Sequence, residues 1–188
     1  WLRGRGLDVA RGPYSPSIND ICGLLSAGFE DPPCVFMPWN PEFHNDVYRQ
    51  LGLSEVRRLY AFAMDMTVPA NPAVTRLAER AQARSGLTIR PFNLADMEGE
   101  LRILQRLYNV TLDRNWGYVP VQWEDLEHSA RGLRAIANPD LLFFVMHGDR
   151  EVGYSISLPD INDLLLRIRA WPRGWPRFIP LLWFLKTS

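Results

Sequence analysis

The chain has 188 residues, 47% of them hydrophobic and 22% charged, with 21 acidic and 21 basic side chains. That size suits one or two ordinary globular domains, and a formal charge of zero without any block of like charges gives no electrostatic footing for nucleic acid or an anionic membrane, so neither is expected as a partner. Cys22 and Cys34 are too few for a disulfide framework and form no C-x-x-C pair, which makes a reduced, cytoplasmic setting the expectation.

Trp1 is not a translational start, and no charged stretch followed by an apolar one opens the chain, which is therefore expected to be an internal piece of a longer protein. Trp1 to Gly6 reads as the tail of a helix, with Gly6 as its cap, and Leu7 to Arg11 as a short strand. Gly12 to Asp20 (G-P-Y-S-P-S-I-N-D) is rich in turn formers and should be an ordered surface loop, the kind of segment that holds polar groups at a strand end. Asn19 and Asp20 are its candidate substrate-binding residues; the alternative is local capping of the segment from Ile21 to Leu25.

Cys34 to Met37 is a short apolar run ended by Pro38, which suits a buried strand. Asn40 and Pro41 then announce a helix, Asn as N-cap and Pro where its missing N–H costs nothing. Phe43, Val47 and Leu51 fall four apart, along one face. Gly52 supplies the left-handed cap, and Val56 to Met64 is a β-compatible run with no breaker before Asp65.

This arrangement resembles the end of a GNAT-superfamily acetyltransferase domain. In that family a strand ending near an Asn leads into a helix whose last turn reads roughly Tyr-x-x-x-Gly-aromatic, followed by a long strand. Asn40, Tyr48 and Gly52 stand at those places, and Leu53 replaces the usual Phe. The resemblance implies that Tyr48 is catalytic, protonating the departing coenzyme A thiolate, and that Asn40 helps hold the coenzyme. A phenol beside a sulfur leaving group can donate a proton as charge develops; the alternative is a half-buried aromatic with its hydroxyl in water. The segment from Gly12 to Pro33 is also similar to one in bacterial tandem-GNAT proteins.

Asn71-Pro72 repeats the cap signal and opens a helix through Arg84, closed by Gly86, which reads as a linker with a solvated charged surface. Leu87 to Pro91 is a short strand, Asn93 a cap, and Met97, Leu101, Leu104, Tyr108 and Leu112 an amphipathic helical stripe. Ile89-Arg90-Pro91 ahead of Asp96 resembles the opening of a GNAT domain. Trp116 and Tyr118 fall on the connector R-N-W-G-Y-V-P, in the place where the family shapes its acceptor pocket. They can wall a substrate site or staple the next helix, whose inward face would be Trp123, Leu126, Ala130, Leu133 and Ala137. Asn138-Pro139 stops that helix. Leu141 to His147 and Val152 to Leu158 form a hairpin across a Gly-Asp turn, with Gly153 marking a bulge or a close approach.

Asp160 caps a last helix with Ile161, Leu164, Leu165 and Ile168 inward. It resembles a P-D-x-N segment of the same tandem proteins, which makes Asn162 a further substrate-binding candidate, the alternative being first-turn helix polarity. The aromatic tail has an apolar run from Phe178 to Leu185, far short of the roughly 20 residues that span a bilayer. It reads as a cover over a sheet or partner surface.

The expected fold is α/β (α+β): a GNAT-like, mostly antiparallel sheet flanked by helices, in two partial units. Residues 1–66 would be the C-terminal half of a first domain, 67–86 a linker helix, and 87–188 the N-terminal half of a second. The family's coenzyme-holding loop, Arg/Gln-x-x-Gly-x-Gly/Ala at a helix N-terminus, occurs nowhere in the chain. The implied activity is therefore that of a longer protein, moving an acetyl group from acetyl-coenzyme A to a small-molecule or peptide amine, while the piece alone is expected to bind the coenzyme weakly or not at all. The competing reading is a non-catalytic GNAT-like scaffold. His44, His128 and His147 show no metal-ligand spacing, so no metal is expected, and Ser17 lies in no G-x-S-x-G elbow.

Overall fold

The computed structural model describes residues 1–15, 17–65, 67–134, 136–162 and 166. The fold is α+β, with two small antiparallel sheets and four α-helices among the described residues. The chain divides into two compact units. One comprises the described residues of Trp1–Ser54, Leu112–Val121 and Asp160–Ser188, and the other the described residues of Glu55–Thr111 and Gln122–Pro159.

In the first unit, Arg3–Arg5 form a single 3-10 turn closed by Gly6 in the left-handed region. The strand expected from Leu7 to Arg11 does not form; strands appear instead at Tyr14–Ser15 (β1) and Ile21–Cys22 (β2), paired antiparallel across the loop between them. Cys34 to Met37 is not a strand either. Here the chain turns, Phe36 standing at φ 63°, and the Met37 N–H donates to the Cys34 carbonyl at 3.1 Å. The following helix, α1, covers Phe43–Gln50. It starts later than expected because the Asn40 side chain is engaged elsewhere and leaves the N-terminus uncapped. Gly52 takes the positive φ foreseen for it.

The apolar stripe of α1 looks outward. Phe43 is 59% exposed and Leu51 71%, while His44, Asn45 and Tyr48 are the half-buried residues. The start of the last expected helix is present at Ile161 and Asn162, with Asp160 Oδ1 accepting from the Asn162 N–H at 2.9 Å. Leu164, Leu165 and Ile168, expected to face inward, and the aromatic tail lie outside the described residues.

The second unit carries a hydrophobic core. Its first helix, α2 (Pro72–Ser85), begins as the sequence dictates, with Asn71 Oδ1 accepting from the Ala73 N–H and Gly86 closing it at φ 65°. Strand β3 (Leu87–Pro91) follows, then helix α3 (Met97–Thr111), helix α4 (Trp123–Leu133), and strands β4 (Leu142–His147) and β5 (Arg150–Ile156). The sheet order is β3-β4-β5, all antiparallel. The two-residue turn places Gly148 at φ 59°, as primed hairpin turns require. Val145 faces Gly153 and Met146 faces Glu151, so Val152 is the extra residue of a bulge beside the glycine.

Leu101, Leu104 and Leu107 of α3 close on Phe92, Leu142 and Phe144, with Trp123, Leu126 and Ala130 of α4 packed alongside. Phe144, 1% exposed, stacks on Phe92 at 5.5 Å between ring centroids. The Arg102 guanidinium sits 4.2 Å from the Trp123 ring centroid and ties α3 to α4.

The run from Val56 to Met64 is extended in sequence pattern and yet forms no strand. A strand is held by its neighbours, and no described strand pairs with this one; its large side chains are left in water, Phe62 at 91% exposure. Amide exchange is therefore expected to run near the unprotected rate from Val56 to Met64, and to be slowed by orders of magnitude at Leu104 and Phe144. Protection at Phe62 would show that the segment is paired after all. Among the described residues no helix is long and apolar enough to cross a membrane.

Candidate functional site

A concavity lies within the first unit. Residues Tyr14, Ser15, Leu24, Trp39, Asn40, His44 and Tyr48 are among those lining a cavity of about 270 Å³. Its position follows from local pairing. The Gly23 N–H donates to the Pro13 carbonyl at 2.9 Å, closing the β1-β2 hairpin and setting Tyr14 and Ile21 on the wall.

Two amides then fix α1 against the hairpin's exit. Asn40, 7% exposed, accepts the Leu25 N–H through Oδ1 at 2.7 Å and donates from Nδ2 to the Pro41 carbonyl at 3.0 Å. Asn45 donates to the Leu25 carbonyl at 2.9 Å. Leu25 is thus gripped on both backbone groups, and with α1 so held, His44 and Tyr48, one helical turn apart, both reach the cavity.

The geometry brings Asn40 and Tyr48 into one lining. It also spends the polar atoms of Asn40 on backbone, an anchoring part alongside which a coenzyme contact would have to use the second lone pair or the second amide hydrogen. The other sequence candidates do not line this cavity. Asp20 accepts from the Ser17 N–H and hydroxyl at 3.2 and 2.7 Å, a bond back into its own loop and not a cap on the segment from Ile21 to Leu25. Asn19 donates to the Val119 carbonyl at 3.0 Å, which joins the loop after β1 to the connector bearing Trp116 and Tyr118. Gly117 permits that approach: its φ is 73°, and a Cβ there would stand 2.7 Å from Ile18 Cδ1. Trp116 is 40% exposed, with the Arg11 guanidinium 5.7 Å from its ring centroid. Asn162 donates to the Pro33 carbonyl.

Sequence reasoning missed His44, Tyr14 and Trp39 as wall residues. The signal for His44 was present in its spacing of four from Tyr48. Cys34 is exposed, and slight desolvation of its thiol, followed by the charge of Asp160 and the hydrogen bond donated to it, raises its pKa, which disfavours the thiolate that a nucleophile needs. Among the described residues no three His, Cys, Asp or Glu side chains gather as a metal site.

Comparison with known proteins gives two curated relatives. The chain is 30% identical over 191 residues to Protein YghO of Escherichia coli strain K12 and 29% identical over 190 residues to a bacterial ceramide synthase of Caulobacter vibrioides. No family model matches, and no solved structure matches. Both alignments take in all of this chain and 48% of the relative, so the chain spans about half the length of the curated relatives it matches.

Proposed function

We propose that this chain forms part of a GNAT-like acyltransferase that moves an acyl group from a coenzyme A thioester, acetyl-coenzyme A being the simplest, to an amine on a small molecule or peptide. The observation that carries the reading is the similarity along the whole chain to a bacterial ceramide synthase, since a ceramide is the amide of a fatty acid and a long-chain amino alcohol. The placement of Tyr48 on a cavity wall supports the residue-level part. At about 270 Å³ the cavity lies just under the range of whole small-molecule sites, so it suits the reacting ends of two substrates and not a complete coenzyme. The sequence contains no glycine-rich loop of the kind that cradles a coenzyme's phosphates. The free thiols of Cys22 and Cys34 support a reducing, cytoplasmic setting.

In this reading the amine nitrogen attacks the thioester carbonyl, the C–N bond forms, the C–S bond breaks, and the departing thiolate takes the phenolic proton of Tyr48. Only a donor placed where charge develops speeds the step. Tyr48→Phe in the full-length polypeptide should lower kcat about 100-fold with little change in KM, read by thiol release. Coenzyme binding with unchanged turnover in that variant would remove Tyr48 as the acid. Calorimetric titration showing no binding of acetyl- or long-chain acyl-coenzyme A would favour the non-catalytic scaffold.

A further inference from the structure

We infer that His44 is the general base of this same reaction, taking the proton that the amine loses as its nitrogen attacks. The inference rests on the acyl-transfer reading above. It starts from the make-up of the wall: among the described residues the lining contains no Asp, Glu, Lys or Arg, and His44, Tyr14 and Tyr48 are its ionisable side chains. An imidazole exchanges protons near neutrality and a phenol does so in strongly alkaline solution, so within this wall the base falls to the histidine.

Three features leave His44 free for the task. Its ring nitrogens bond to no described residue, while its backbone N–H is engaged with the Pro41 carbonyl at 3.1 Å. Its ring is steadied edge-on by Phe43, with centroids 4.5 Å apart and planes at 87°. The nearby charges of α1, Asp46 and Arg49, pair with each other on the exposed side of the helix and compete for neither.

The division of labour follows from the helix itself. His44 and Tyr48 project from one face a turn apart, a spacing that lets base and acid stand on the same side of a single reacting carbon. The amine N–H proton passes to the imidazole as the C–N bond forms, and the phenolic proton passes to sulfur as the C–S bond breaks. One proton is taken up and one released, so the pair is reset by proton exchange with water after each turnover.

The test uses the full-length polypeptide with an acyl-coenzyme A and a long-chain primary amine, following both thiol and amide. His44→Gln should lower kcat/KM about 100-fold and abolish the acid limb of its pH profile. Free imidazole should restore part of the rate to His44→Ala, and His44→Asn should match His44→Gln, which separates a lost base from a lost fold. A His44→Gln protein with wild-type rate and pH profile overturns the assignment while the result for Tyr48→Phe stands. A 100-fold loss with the pH profile intact and no imidazole rescue also overturns it, leaving His44 a positioning residue. Absence of thiol release in the wild-type protein overturns the acyl-transfer reading, and this assignment with it.

Discussion

Phe144→Ala is expected to lower the unfolding free energy of the second unit by about 3–5 kcal/mol. The ring is almost wholly buried, stacks on Phe92, and lies on the central strand of the sheet, where α3 closes on it. Truncation removes the transfer energy of the ring and leaves a void whose walls, β3 and β5 on either side, cannot close without breaking their pairing to β4. The urea midpoint of the variant, followed by far-ultraviolet circular dichroism, reads the loss. Phe62→Ala is the control. Its ring is in water, so the midpoint should move by no more than about 0.5 kcal/mol equivalent, and equal effects at the two sites would overturn the assignment of the core.

Arg90→Met is expected to be costly in a way that a second substitution repairs. Arg90 donates to Glu100 at 2.8 Å and lies 3.8 Å from Glu151, which also receives Arg106 at 2.9 Å. The Glu100 carboxylate is 5% exposed, and its Oε2 has no hydrogen-bond partner among the described residues. Removing Arg90 strands a charge that was already imperfectly solvated. The loss should reach about 3 kcal/mol, the low end for a buried pair broken on one side, because the Arg90 side chain keeps 32% of its surface in water. Arg90→Met with Glu100→Met should return to within about 1 kcal/mol of the wild type, since two apolar side chains against α3 need no partner. A double variant as unstable as the single one would show that the ion pair itself, and not the stranded carboxylate, carries the stability.

What could be read in the sequence was what local chemistry decides. The Asn71-Pro72 start and Gly86 stop of α2, the inward faces of α3 and α4, and the hairpin with its bulge beside Gly153 each follow from a few neighbouring residues. Elements that depend on distant partners were not legible. Cys34 to Met37 and Val56 to Met64 have the composition of strands, but composition cannot supply a neighbour. The orientation of α1 is set by a bond from Asn45 to Leu25, twenty positions back, and its apolar spacing pointed to the opposite face. Asn40 and Tyr48, both singled out by a motif, line one concavity, whereas the sequence raised His44 only as a metal ligand, a question that its place beside Tyr48 does not answer.

The wet side of α1 has a mechanical consequence. Burying Phe43, Val47 and Leu51 would release about 1.5–3 kcal/mol for each side chain fully covered, so apolar burial alone would favour the opposite roll of α1. Holding the helix as it stands are side-chain amide bonds of about 1 kcal/mol apiece. The Asn40 and Asn45 amides therefore act as a latch that keeps the imidazole and phenol turned toward the concavity.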